Sequence, residues 1–262
     1  MQLFKRSSPG EQVVSVRAGG ETCQVTLRRR RDARRLTLRV SQVTGEATLT
    51  MPQRGDLQAA LRFLETHGEW IAARVRRVPE RIPFVPGAVA PLRGTPHRLV
   101  WREDARATPV IAAGRDGGPM IIAGGDPRHF PRRVQELLKR LAAADLEAAV
   151  AYYASRLAVR PRGVTLRDQR TRWGSCTAAG RLNFSWRLVM APPYVLDYLA
   201  AHEVCHLREM NHSDRFWALV YRLCPHTDAA ESWLKEHGAG LHRYGAAPAA
   251  RRTPPAPAAP LP

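Results

Sequence analysis

Residues 193–217 read PYVLDYLAAHEVCHLREMNHSDRFW, and the fold and chemistry of the chain turn on this stretch. Pro192 and Pro193 stand where the first turn of a helix accepts proline, and the pattern after them predicts a helix running to Met210. At about 100° per residue, His202 and His206 fall within about 40° of each other on one helix face. That spacing lets a single rigid element hold one metal ion, with Glu203 beside the ion rather than on it. In a chain of nine His and thirteen Glu, H-E-x-x-H arises by chance on the order of once in a hundred.

A catalytic zinc site takes three protein ligands and keeps one position open. His212 is the nearest third candidate, although in an unbroken helix it would point away. Asn211 tolerates the left-handed conformation that ends helices, and Ser213 is a good cap for a following one. The chain is therefore expected to turn at Asn211 and bring His212 back. Neutral imidazoles would leave one bound Zn2+ strongly Lewis acidic, and Glu203 could take a proton from water and return it to a leaving group. These residue types predict metal-assisted hydrolysis.

Outward from this stretch, residues 12–51 alternate apolar and polar and predict four strands, in QVVSVRAG, TCQVTLRR, RLTLRVSQ and EATLTMP. Asp56 is expected to cap a helix carrying Leu57, Leu61, Leu64, Ile71 and Val75 on one stripe. Short strands are expected at His97–Trp101 and Val110–Ala112, and helical periodicity starts near Pro131. VTLRDQ and RLNFSWRLVM read as strands, with TRWGSCTAAG a loop between them. Beyond Ser213 two more helices are expected, the second opened by a capping box of Asp228 and Glu231. The domain reading is a β-rich N-terminal domain at 1–125, a hydrolase domain at 126–246 and a disordered Pro/Ala-rich tail at 247–262.

The run from Gln169 to Trp217 resembles the YgjP-like metallopeptidase family of the zincins. The resemblance rests on Q-x-x-R-W-G-S-C (Gln169 to Cys176), Leu182 to Leu188, H-E-x-x-H and N-H-S-x-x-F-W (Asn211 to Trp217). It implies an α+β zincin fold with an active-site helix, zinc on His202, His206 and His212, and Glu203 as catalytic base. Cys205 stands where the family more often has a small residue such as Ala. The spacing His202–His212 also matches the metzincins, but Glu209 occupies the place of their glycine.

Arg172, in the RWGSC loop, either stabilises an oxyanion or binds phosphate, or else packs the loop onto the helix. Phe216, Trp217 and Tyr221 are expected to be buried, His226 to lie in a loop, and His237 and His242 to be helix-terminal or solvated. Asp197 receives no role, and Cys23, Cys176, Cys205 and Cys224 read as small buried hydrophobes.

Against 23 acidic residues stand 41 basic ones, all arginine except Lys5, Lys139 and Lys235, for a formal charge of +18. With 44% hydrophobic residues this is no disordered polycation. The charge is spread along the chain, with one true cluster at Arg28–Arg35, so nucleic acid is a possible but secondary partner. No uninterrupted apolar run is long enough for a membrane span, and MQLFKRSSPGEQ turns polar before any apolar segment, which predicts a soluble cytoplasmic protein. The resemblance implies a peptide or protein substrate or, from designations within the family, a nucleoside triphosphate such as UTP cleaved as by a pyrophosphatase; by analogy with related zincins, a DNA-associated role as protease or zinc-containing binding module also fits the arginine excess.

Overall fold

A computed structural model describes residues 3–245 except Pro9, Gly10, Gly19, Gln42, Pro79 and Ala107. The expected tail at 247–262 lies outside the described residues. The fold is α+β, and it divides into two compact units between Glu80 and Arg81.

In the first unit, β1 (Leu3–Ser8), β2 (Glu11–Ala18), β3 (Glu21–Arg30), β4 (Thr37–Val40) and β5 (Ala47–Pro52) make one sheet in the order β1-β2-β3-β5-β4. Alternation sends Cys23, Val25 and Leu27 of β3 and Ala47, Leu49 and Met51 of β5 into one core. Helices α1 (Leu57–Thr66) and α2 (Gly68–Arg76) close it through Leu61, Leu64 and Ile71. Asp56 caps α1, its carboxylate accepting from the amides of Gln58 and Ala59. The single helix expected to run through Val75 is interrupted at His67, whose Nδ1 lies 2.8 Å from the Phe63 carbonyl. Gly68, a weak helix former, follows the break.

The second unit opens with β6 (Val89–Leu92), β7 (Thr95–Trp101), β8 (Val110–Ala113) and β9 (Pro119–Ala123), ordered β6-β7-β9-β8. Next comes the long helix α3 (Phe130–Leu157). The expected boundary at 125/126 is thus displaced to 80/81. The reason is a shared core: Ala90, Leu92, Leu99, Ile121 and Ala123 of this sheet are buried together with Phe130, Val134 and Leu138 of α3. Arg93 reinforces the union with a bidentate bond to Asp145 of α3, at 2.9 and 2.7 Å.

A small sheet follows, built from β10 (Gly163–Arg167), β11 (Gly174–Cys176) and β12 (Arg181–Ser185) in the order β10-β12-β11. The stretch expected to be a loop therefore contains a strand, β11, antiparallel to β12 with Ser175 opposite Asn183. The strand expected over RLNFSWRLVM ends at Ser185, where the chain tightens into a 3-10 turn over 186–190. Helix α4 (Pro193–Cys205) is buried on nearly all sides through Val195, Leu196, Leu199, Ala200, Ala201 and Val204. Helices α5 (Asp214–Leu223) and α6 (Thr227–Leu241) complete the unit. The capping box does not form: α6 begins two residues earlier, at Thr227, and the Asp228 carboxylate instead accepts from the Tyr221 hydroxyl at 2.6 Å. No helix among the described residues is long and apolar enough to cross a membrane.

Arg187 knots the ends of this unit together. Its guanidinium is buried, forks onto Asp168 at 2.6 and 3.1 Å, and donates to the carbonyls of Leu241 and Tyr244 at 3.1 and 2.8 Å. Removing it strands two carbonyls and a half-exposed carboxylate. Arg187→Met is expected to cost about 2–3 kcal/mol, below the figure for a fully buried pair because Asp168 meets solvent. Arg187→Lys should recover little of this, since an ammonium cannot reproduce the fork. Urea melts of the two variants against the parent check both.

Candidate functional site

Helix α4 ends at Cys205, with His206 as its cap, and the chain then turns through Leu207–Glu209. The expected break thus occurs five residues before Asn211. The shorter helix still leaves His202 and His206 neighbours, with ring centroids 5.1 Å apart. After the turn, Ser213 caps α5, its hydroxyl accepting from the Phe216 amide at 3.4 Å. His212 comes back over α4, and its Nε2 lies 3.1 Å from Nε2 of His202. One ring nitrogen from each of His202, His206 and His212 can be chosen so that all lie within 4.8 Å of one another.

The surroundings suit these nitrogens to a metal. Tyr198 donates its hydroxyl to Glu231 at 2.8 Å, so its oxygen is left to accept from Nδ1–H of His202, 3.2 Å away. Nδ1–H of His206 likewise faces the Glu209 carbonyl at 3.1 Å. Both assignments, made from the hydrogen-bond partners, free Nε2 as a lone pair. Burial, aided by the two neighbouring imidazoles, lowers the pKa of His202 to about 3, and burial also lowers that of His206. Ligands on a tetrahedral zinc would stand about 3.3 Å apart, close to the His202–His212 separation. Phe216 underlies the group, stacked on His206 at 4.5 Å and edge-on to His202 and His212. Trp217 stacks on His212.

Glu203 is 4% exposed, and its Oε2 is buried without a hydrogen-bond partner. Burial raises its pKa to about 8, against the opposing pull of the Arg172 cation. Arg172 itself is exposed and comes near enough to influence the carboxylate. The strand β11 packs against α4 here, and a Cβ on Gly174 would meet Oε1 of Glu203 and lie 2.8 Å from its Cγ and Cδ. The glycine of RWGSC is therefore what lets a strand and a catalytic-type carboxylate occupy the same place.

Several expectations change. Tyr221 is exposed rather than buried, and Cys176 is only partly buried, beside Glu203. His242 is helix-terminal, as the first of its two readings had it, but it is buried there and lies tilted against Trp173, centroids 5.0 Å apart, while Gly238 lies under the same indole. Phe216 is fully buried, as expected, and Trp217 is partly so. Gly174, Tyr198 and Glu231 were missed by sequence reasoning. Tyr198 carried a usable signal: it stands four residues before His202, which stands four before His206, so all three share a helix face.

The model of the YgjP-like family, a metallopeptidase domain, matches residues 34–237. The chain belongs to this family. Its membership covers the site and most of both units, and a metallopeptidase family implies a metal ion. No curated protein matches the chain. Among solved structures it is similar to the metallopeptidase zymogen of Pyrococcus abyssi abylysin, at 18% identity and a TM-score of 0.33, over 38% of this chain and 99% of that one.

Two outcomes are expected from this geometry. Gly174→Ala should displace Glu203 and lower kcat about 100-fold, the scale of a misplacement near 1 Å, with bound metal retained. Metal content and kcat measured on one preparation check it. Burial, followed by the Arg187 charge, depresses the pKa of His242 to about 4, so it is neutral in the folded protein. The unfolded chain takes up that proton near pH 6.5, so the stability tied to neutral His242 is present above 6.5 and lost as pH falls towards 4. With chelator in both arms, His242→Gln should lose less Tm between pH 7 and 5 than the parent.

Proposed function

We propose that the chain is a zinc-dependent peptidase in which His202, His206 and His212 hold the metal and Glu203 is the general base. When bound, the metal supplies Lewis acidity at the scissile carbonyl and at water. Glu203 holds and moves the proton, accepting it from the attacking water and releasing it to the leaving amine. Burial raises the proton affinity of its carboxylate, which favours the accepting half of that transfer. Tyr198 and Glu231 hold the His202 ring, and Arg172 stands where it can meet developing negative charge.

The observation that carries the peptide reading is the free edge of β11. Trp173, Ser175 and Thr177 bond towards β12, which leaves the backbone groups of Gly174 and Cys176 on the far side. Among the described residues no strand pairs with that edge. A substrate chain laid along it would be held by backbone hydrogen bonds beside Glu203. The adjoining cleft, of about 290 Å³, is lined by Trp173, Tyr198, Leu199, Leu234, Glu231 and Lys235 together with His202, Glu203 and Gly174. Two carboxylates against a single cation, Lys235, in that lining favour a peptide over a nucleoside triphosphate, which needs converging cations.

Zinc-loaded protein is expected to cleave casein and to leave nucleoside triphosphates intact. Glu203→Gln should lower the rate about 10²- to 10⁴-fold while metal binding persists. Activity on neither substrate, or casein cleavage that survives the substitution, sinks this reading.

A further inference from the structure

A second group of ligand-type side chains meets around Asp197, five residues before His202 on α4. Cys224 comes from the end of α5 and His226 from the start of α6. One atom each of Asp197, Cys224 and His226 lies within 4.8 Å of the others. Nε2 of His226 is 3.1 Å from Oδ2 of Asp197. Yet this nitrogen is buried with no partner in hydrogen-bonding geometry. A nitrogen and a carboxylate oxygen this close, but not aimed at each other, stand as two ligands of one cation do. Tetrahedral coordination would separate them by about 3.3 Å.

The supporting contacts agree. The Tyr153 hydroxyl, from α3, donates to Oδ2 of Asp197, as outer hydrogen bonds fix the carboxylates of metal sites. Cys224 is a fully buried cysteine outside any disulfide, and the neighbouring Thr227 hydroxyl donates to its backbone carbonyl. Asp197 and His226 are each about one-third exposed, and a groove lined by Arg93, Asp145, Tyr194 and Leu196 reaches Asp197. A cation therefore has a way in.

We propose that Asp197, Cys224 and His226 form a second metal site, built for a zinc-class divalent cation. Thiolate, imidazole and carboxylate together suit such an ion and not magnesium or calcium. Binding exchanges the thiol proton of Cys224 for the metal. The ion would tie α4 to the α5–α6 connection, with Tyr153 carrying the tie to α3. This proposal is independent of the peptidase reading.

Cobalt separates the two sites, because a thiolate-to-cobalt charge-transfer band arises only where cysteine ligates and the three-histidine cluster contains none. Metal-free full-length protein titrated with Co2+ is expected to develop this band. Cys224→Ser should abolish it, Cys176→Ser should leave it, and His226→Gln should weaken cobalt affinity about tenfold or more at that band. No band from folded protein overturns the proposal, as does a band that survives Cys224→Ser or disappears with Cys176→Ser. Should Cys224→Ser fail to fold, His226→Gln decides: undiminished affinity overturns the site and the expected loss supports it.

Discussion

A carboxylate kept dry beside three imidazoles is the constraint on which the second unit depends. Glu203 is almost wholly buried with one oxygen unbonded, which is costly unless something else uses that oxygen. Holding it there requires a helix buried on nearly every side, and α4 is that helix, enclosed by α3, α5, α6 and the strand β11. It also requires a neighbour without a side chain, which Gly174 provides. The same burial drains charge from His202 and His206, leaving them neutral as metal binding requires.

The parts around this centre are secured by ties that reach across the sequence. Arg187 gathers Asp168 and the carbonyls of Leu241 and Tyr244 about the end of β12. Trp173, immediately before Gly174, is held between His242 and Gly238. The segment that places Gly174 against Glu203 is thus set by residues about seventy positions further on. Below the imidazoles, Phe216 does similar work from α5, and Ser213 sets the start of that helix so that His212 and Phe216 converge on α4. The motif N-H-S-x-x-F-W reads physically as candidate ligand, cap and aromatic floor.

Legibility in the sequence followed the range of the interaction. The alternation in β2 to β5, the Asp56 cap and the long periodic helix α3 depend on near neighbours and were readable. The helix was expected to run on to Met210, but it stops at Cys205. No strong breaker marks that point, and the turn is carried by backbone bonds from Leu207, Arg208 and Glu209. The three residues of β11 look like loop because their partner strand, not their composition, makes them a strand. The capping box at Asp228 and Glu231 failed for a related reason: both carboxylates are taken by tyrosine hydroxyls, from Tyr221 and Tyr198.

The sequence by itself determined the alternating strands of the N-terminal part, the spacing that makes His202 and His206 neighbours and the Ser213 cap that starts the helix after His212. Each follows from local periodicity, spacing or capping, which need no knowledge of distant residues. Only the tertiary structure decided where the units divide, that Gly174 makes room for Glu203, that Tyr198 and Glu231 orient His202, and that Asp197, Cys224 and His226 meet. Those contacts join residues far apart in the chain, and they exist because burying the apolar faces of α3, α4 and the sheets brings their polar groups together in the same few places.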